Sequence, residues 1–248
     1  ILYFTDIGME PLTYFLAFTR LAPVQCASWG HPVTTGIPNI DYFLSWKIHE
    51  PQDAHLHYSE KLQLFNGFCT NYIPPSFAVS PKDREVLGLD THATLYVCPQ
   101  SLFKFHPNFD GMLASILQND QRGQIILLEG QQQNWGRLLR ARFRTINPDM
   151  ADRISFLPRL SQEDYLHLMT LADVVLDTPY FCGGNSSFEA LAAGKVVVTL
   201  QGQYMRGLFT AGLYHQMGLE DLISSTPTAY VEFAVSLGTD LEERTRQE

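Results

Sequence analysis

The segment Cys182-Gly183-Gly184-Asn185-Ser186-Ser187-Phe188-Glu189 carries the residue types that hold a phosphate. Glycines permit close approach of a ligand to the backbone. Asn185 and Ser186 supply donors, and the helix predicted to start there presents free N–H groups at the positive end of its dipole. Glu189, one turn in, is placed to accept from a sugar or ribose hydroxyl. A second reading stands beside this one. Ser186-x-x-Glu189 has the spacing of a capping box, in which the glutamate bonds back to the cap amide. Local sequence leaves the two open.

A second group follows a predicted strand over 94–98, in Cys98-Pro99-Gln100-Ser101-Leu102-Phe103-Lys104. A lysine at the C-terminal edge of a parallel strand neutralises charge on a departing diphosphate, a charge greater in the transition state than in the ground state. A solvated surface lysine is the alternative. His31, with Thr34 and Thr35, lies in a polar loop after a strand, where an imidazole binds ligand or accepts a proton. A loop histidine with one backbone hydrogen bond is the plainer reading. Tyr165, on a helix over 161–172, stacks on a base or fills half-buried space. No GxGxxG or Walker pattern occurs, which disfavours dinucleotide and P-loop sites. His55 and His57 lack the carboxylate or cysteine partners of a metal site, and His49, His92, His106 and His215 read as surface or turn residues. No metal site is expected.

The elements that must position these residues follow from the apolar pattern. Short buried strands are expected over 1–4, Val24–Trp29 and Asp41–Trp46, with a helix from Pro11 to Leu21 whose apolar face is Leu12, Phe15, Leu16, Phe18 and Leu21. DAHLHYSEKLQLF reads as a short helix running into a strand. From Ala93 strands and helices alternate regularly: strands over 93–98, 124–130, 153–158, Val174–Asp177 and Val196–Leu200; helices over 108–119, 134–146, 161–172 with Ser161 as N-cap, Ser186–Ala193 and 204–217. Such alternation means a doubly wound parallel sheet. Ligands in such sheets bind where strands end. The expected division is residues 1–75 as part of one α/β lobe, a proline-containing linker to about 92, and residues 93–248 as a second lobe.

Composition bounds the function. Net charge is −9 and apolar content 45%, which suits a packed core and gives no basic surface for nucleic acid. The four cysteines, Cys26, Cys69, Cys98 and Cys182, form no CxxC pair. Cys26 and Cys98 sit in apolar strands as small buried thiols. A reducing cytoplasm is the expected compartment. No apolar run approaches the roughly 20 residues of a membrane span. The chain starts without Met, in mid-strand, and reads as a piece of a longer protein.

LAPVQCASWGHPVTTGIPNIDYFLS, HYSEKLQLF, FKFHP, RISFLPRLSQEDY, LADVVLDTP, GGNSSFEALAAG, TLQG and LGTDLEE, in this order, resemble the protein O-GlcNAc transferase/SPINDLY family and its bacterial homologues, including adhesin N-glucosyltransferases. The resemblance covers nearly the whole chain. It implies a GT-B fold of two Rossmann-like lobes, with donor bound mainly by the second. It also implies inverting transfer, without a metal, of GlcNAc or glucose from a UDP-sugar to a Ser/Thr or Asn side chain of a protein. SPINDLY-type members use GDP-fucose. The family's diphosphate-contacting lysine falls on Lys104, and the glutamine-bearing segment before it on Gln100 and Ser101. Its HTTxxxD-type loop falls on Gly184–Glu189, after Gly183, with Gly184 for the histidine, Asn185 and Ser186 for the threonines, and Glu189 for the acid. The base-stacking histidine falls on Tyr165, and the backbone at Leu160 meets the base edge. His31 then faces the donor or acceptor from the other lobe. The family's proposed catalytic histidine maps upstream of Ile1, and its tetratricopeptide repeats do not occur in this sequence. A non-catalytic nucleotide-sugar-binding or protein-interaction module is therefore the competing expectation.

Overall fold

The fold is given by a computed structural model that describes residues 1–67, 70–77 and 83–248. Cys69 and part of the expected linker (68, 69 and 78–82) lie outside the described residues. The chain forms two compact units: Ile1–Asn71 with Gly202–Leu219, and Tyr72–Gln201 with Glu220–Glu248.

The first unit is built on a four-stranded, wholly parallel sheet of β1 (Leu2–Phe4), β2 (Gln25–Ser28), β3 (Tyr42–Trp46) and β4 (Lys61–Phe65), in that spatial order. A short helical turn over Ala54–His57 precedes β4, as expected. Helix α1 (Pro11–Leu16) is shorter than the expected Pro11–Leu21. The amides of Phe18 and Thr19 bond three residues back, to Phe15 (3.3 Å) and Leu16 (2.9 Å), and such tight turns end an α-helix. Its expected core face is a correction too: none of α1 is buried, and Leu12, Phe15, Leu16, Phe18 and Leu21 are exposed.

The second unit alternates strand and helix throughout. β5 (Thr94–Cys98), α2 (Pro107–Asn119), β6 (Gly123–Leu128), α3 (Gln133–Ile146), α4 (Pro148–Asp152) and β7 (Ile154–Leu157) form its first half. α5 (Gln162–Leu171), β8 (Val174–Leu176), α6 (Asn185–Ala192) and β9 (Val197–Leu200) continue it. The chain then enters the first unit as α7 (Phe209–Met217), and returns as β10 (Ile223–Ser224), α8 (Pro227–Thr239) and α9 (Leu241–Gln247). All six strands are parallel, in the order β10-β9-β8-β5-β6-β7. Every residue of β5 and β8 is buried, which is why these strands read as continuous apolar runs. Ser161 caps α5 by accepting from the Asp164 amide at 3.1 Å. Prolines open α2, α4 and α8, where a missing N–H costs nothing.

The strand order has one consequence for ligand binding. From β5 the chain winds outward through β6 to β7, then crosses back to place β8 on the other side of β5. The C-terminal ends of β5 and β8 therefore flank the topological switch point, the crevice where open α/β sheets bind ligands.

The segment 202–219, expected with the second lobe, groups with the first unit. Aromatic packing explains this. Phe209 stacks on His49 with ring centroids 5.1 Å apart and planes 8° from parallel, and lies 5.5 Å from Trp29 and 5.9 Å from Trp46. His49 is thus not a surface residue, as its polar type suggested, but fully buried. It fits because Gly212 has no side chain; a Cβ there would stand 1.9 Å from His49 Nδ1.

Burial pulls the His49 pKa down from 6.5 to about 4. At neutral pH it is uncharged in both folded and unfolded states. Below 6.5 the unfolded chain binds a proton that the folded chain refuses, so stability falls by up to about 1.4 kcal/mol per pH unit until pH nears 4. Urea denaturation at pH 7 and pH 5 is expected to show this loss, and His49→Phe to reduce it. An equal pH dependence in both proteins would remove His49 as the cause.

Among the described residues no helix is long and apolar enough to cross a membrane, and no cluster of metal-ligating side chains occurs. Cys26, Cys98 and Cys182 are free and buried.

Candidate functional site

The loops after β5 and β8 meet at the switch point. Lys104 ends a short helical turn, Leu102–Lys104, in the loop after β5. Its ammonium donates to Gln100 Oε1 at 3.0 Å and to the Cys182 carbonyl at 2.9 Å, tying the two loops together. The Phe181 ring centroid lies 4.8 Å from Nζ. Burial lowers the Lys104 pKa from its ordinary value; Asp177 opposes the shift. Both of these acceptors are neutral, and an ammonium has three donors. An anion is the partner such a group binds most strongly.

Gln100 is buried and spans the gap. While Oε1 accepts from Lys104, Nε2 donates to Ser186 Oγ at 2.8 Å. Gly183 makes this possible. A Cβ there would stand 2.2 Å from Ser187 Oγ, 2.7 Å from Gln100 Nε2 and 3.0 Å from Ser186 Oγ. The Gly183 amide donates to Asp177 Oδ1 at 2.6 Å. Asp177, fully buried, also accepts from Thr199 Oγ1 at 3.1 Å, and its carbonyl accepts from the Tyr230 hydroxyl at 2.8 Å. The glycine loop is thereby fixed to β9 and α8 beneath it.

The capping box does not form. Gly184 is the N-cap of α6 and caps without a side chain. Its carbonyl accepts from the Ser187 and Phe188 amides at 3.1 and 3.4 Å. Ser186 is therefore inside the first turn, and the Asn185 and Ser186 amides, as the first two of the helix, have no intrahelical acceptor. Glu189 interacts with the Tyr165 hydroxyl on α5. Burial raises the Glu189 pKa and that contact moderates the rise; burial and the Glu189 charge push the Tyr165 phenol up. Tyr72 stacks on Phe188, at 4.3 Å and 11°, beside this pair.

Of the expected donor residues, Gln100, Lys104, Gly183, Gly184, Asn185 and Ser186 come together at the switch point, and Tyr165 joins Glu189 on the adjoining α5–α6 side. Ser101 is exposed and its carbonyl closes the helical turn with the Lys104 amide at 2.9 Å. Leu160 is half-buried in the β7–α5 loop. His31 belongs to the first unit, in the loop after β2. Its ring fills the space beside Gly8, where a Cβ would stand 2.6 Å from Cδ2. Its Nδ1 is buried with no hydrogen-bond partner among the described residues, and burial lowers its pKa. Asp177, Phe181 and the Cys182 carbonyl escaped the sequence reading. The available signal was an acid ending an otherwise apolar strand, Val174–Asp177.

Tyr165→Phe removes the donor to Glu189 and leaves a half-buried carboxylate short of a partner. The expected result is an unchanged fold and donor affinity reduced about tenfold, equivalent to about 1.4 kcal/mol. Calorimetry with a UDP-sugar checks it, and unchanged affinity would detach the pair from donor binding.

The pattern of Glycosyl transferase family 41 matches residues 69–247. The chain belongs to this family. Its resemblances to individual proteins agree. It is 29% identical over 228 residues to the tomato (Solanum lycopersicum) "probable UDP-N-acetylglucosamine–peptide N-acetylglucosaminyltransferase SPINDLY", covering 90% of this chain and 24% of that protein. It is 26% identical over 247 residues to a UDP-glucose:protein N-β-glucosyltransferase of Actinobacillus pleuropneumoniae, covering 98% of this chain and 39% of that protein. A mutant of the Thermobaculum terrenum O-GlcNAc transferase superposes on the whole chain with a TM-score of 0.80 and 26% identity, over 47% of its own length. The family 41 chain therefore spans between about a quarter and half of these relatives. Its two parallel-sheet units have the GT-B fold expected from the sequence.

Proposed function

We propose that this family 41 chain binds a UDP-sugar at the β5/β8 switch point and transfers the sugar, GlcNAc or glucose, with inversion to a Ser/Thr or Asn side chain of a protein. The observation that carries the reading is the partly buried Lys104 ammonium, hydrogen-bonded to neutral acceptors at the switch point. The relatives' names supply the donor and acceptor classes.

In this reading the diphosphate lies between Lys104 and the first turn of α6. Its oxygens take the Lys104 ammonium, the Asn185 and Ser186 amides and the Ser186 hydroxyl. Gly183 and Gly184 let it approach the backbone, and Gln100 and Ser101 line the β5 side. Glu189, held by Tyr165, takes a ribose or sugar hydroxyl, and Leu160 and Tyr165 serve the base. As the bond from the anomeric carbon to the diphosphate breaks, negative charge collects on the leaving oxygens. Lys104 is placed to stabilise that charge. The acceptor heteroatom attacks from the opposite face of the sugar, and its proton passes to a base. Burial lowers the His31 pKa, which favours the uncharged form that accepts a proton or a hydrogen bond. No metal takes part.

Incubation with radiolabelled UDP-GlcNAc or UDP-glucose and peptides bearing Ser/Thr or Asn tests the reading. Label in peptide supports it. Donor binding without transfer to any peptide would favour a non-catalytic nucleotide-sugar-binding module.

A further inference from the structure

We propose that Glu60 is a positioning residue for His31: by gripping Thr34 and Thr35 it holds the loop after β2, and the imidazole it carries, packed down on the β1–α1 turn. The inference rests on the reading of His31 as a group that serves the transfer reaction.

Glu60 lies just before β4 and is only 6% exposed. Its Oε2 accepts from Thr34 Oγ1 at 2.7 Å, and its Oε1 accepts from the Thr35 amide at 2.7 Å and from the Thr35 hydroxyl. Thr34 Oγ1 in turn accepts from the Ser59 amide at 3.0 Å, so the two loops are stitched both ways. A buried carboxylate is costly without partners, and here several donors converge on it. Burial alone would raise its pKa; the threonine hydroxyls and the Thr35 amide reverse that and hold it below the usual glutamate value.

The far side of the loop is fixed by shape. Gly30 lies so close to the Thr5 carbonyl that a Cβ would stand 1.9 Å from its oxygen. The His31 ring fills the place of a side chain at Gly8, whose φ of +92° favours glycine independently. The loop thus has a shaped seat on one side and a single carboxylate pulling it down on the other. Glutamine cannot replace that carboxylate, because its amide nitrogen does not accept. Release of the grip would let water reach the imidazole. No charged side chain contributes to the His31 shift, so rehydration alone would return its pKa toward 6.5.

The test is an NMR titration of the His31 imidazole in wild type, Glu60→Gln and Thr34→Val, with His31→Gln identifying the signal. The midpoint is expected to rise toward about 6.5 in Glu60→Gln, while the buried His49 keeps its low midpoint and so reports an intact unit. Should Glu60→Gln fail to fold, Thr34→Val, which removes one donor, carries the test with a smaller rise. A His31 midpoint identical to wild type in the folded variants overturns the proposal. In transfer assays the expected result is a kcat reduced about tenfold or more with KM for the UDP-sugar unchanged. A raised donor KM at unchanged kcat overturns it as well. Absence of transfer by wild type would sink the transferase reading, and the titration would still decide whether Glu60 positions His31.

Discussion

Lys104→Ala is expected to lower sugar transfer about 100- to 1,000-fold, the scale on which loss of one preorganised charge-stabilising donor reduces kcat. The fold should persist. Lys104 is partly exposed, and its bonds to Gln100 and the Cys182 carbonyl are interactions of side-chain and loop groups that water can replace. The loss should appear chiefly in kcat, because the leaving diphosphate bears more charge in the transition state than in the bound donor. Lys104→Arg restores charge but not shape, and the short Gln100–Lys104–Cys182 span makes only partial rescue the expected result. Steady-state kinetics with a circular-dichroism check of the fold decide the matter. Wild-type turnover in a folded Lys104→Ala protein would remove the lysine from the mechanism.

Gly183→Ala is expected to be nearly as damaging by a different route. The added methyl must displace Ser187 Oγ, which is buried, together with Gln100 Nε2 and Ser186 Oγ. Overpacking of this kind costs about 1–3 kcal/mol. It also parts the Gln100–Ser186 bond and strains the Gly183 amide away from Asp177. The donor loop is displaced as a unit. Donor affinity should therefore fall at least tenfold alongside a lowered midpoint of thermal unfolding. Gly111→Ala is the control, because its Cβ would meet no atom within 4 Å and Gly111 lies on α2, outside this loop. Equal donor affinity in Gly183→Ala and wild type would mean that the diphosphate does not contact this loop.

The alternating core of the second unit was legible because its strands are buried on both faces: Val174–Leu176 and Val197–Leu200 can be little else. The two-residue β10 was not, since Ile223–Ser224 is too short to show a period. The course of 202–219 was not legible either. That segment reads as one more turn-and-helix of the second lobe, and only the packing of Phe209 on Trp29, Trp46 and His49, all far away in sequence, moves it to the first unit. The same packing hid the burial of His49.

At the candidate site, residue types and their place after strands singled out Lys104 and the glycine loop. The capping-box reading failed for two physical reasons. Gly184 is the N-cap, which moves Ser186 into the first turn, and Glu189 finds its partner in Tyr165 on α5. A partner on another element leaves no trace in local spacing. Asp177 was missed likewise: in sequence it ends an apolar strand, and only its bonds to the Gly183 amide and Thr199 show that it holds the loop.

All of these roles require that a nucleoside diphosphate sit on Lys104 at the switch point. Titration calorimetry of UDP into wild type and Lys104→Ala tests it most directly, with UDP-GlcNAc, UDP-glucose and GDP-fucose resolving base and sugar. Wild type is expected to bind UDP and at least one UDP-sugar, and Lys104→Ala to weaken UDP at least tenfold. Equal UDP affinity in the two proteins, or no heat from wild type with any of the four compounds, would contradict it.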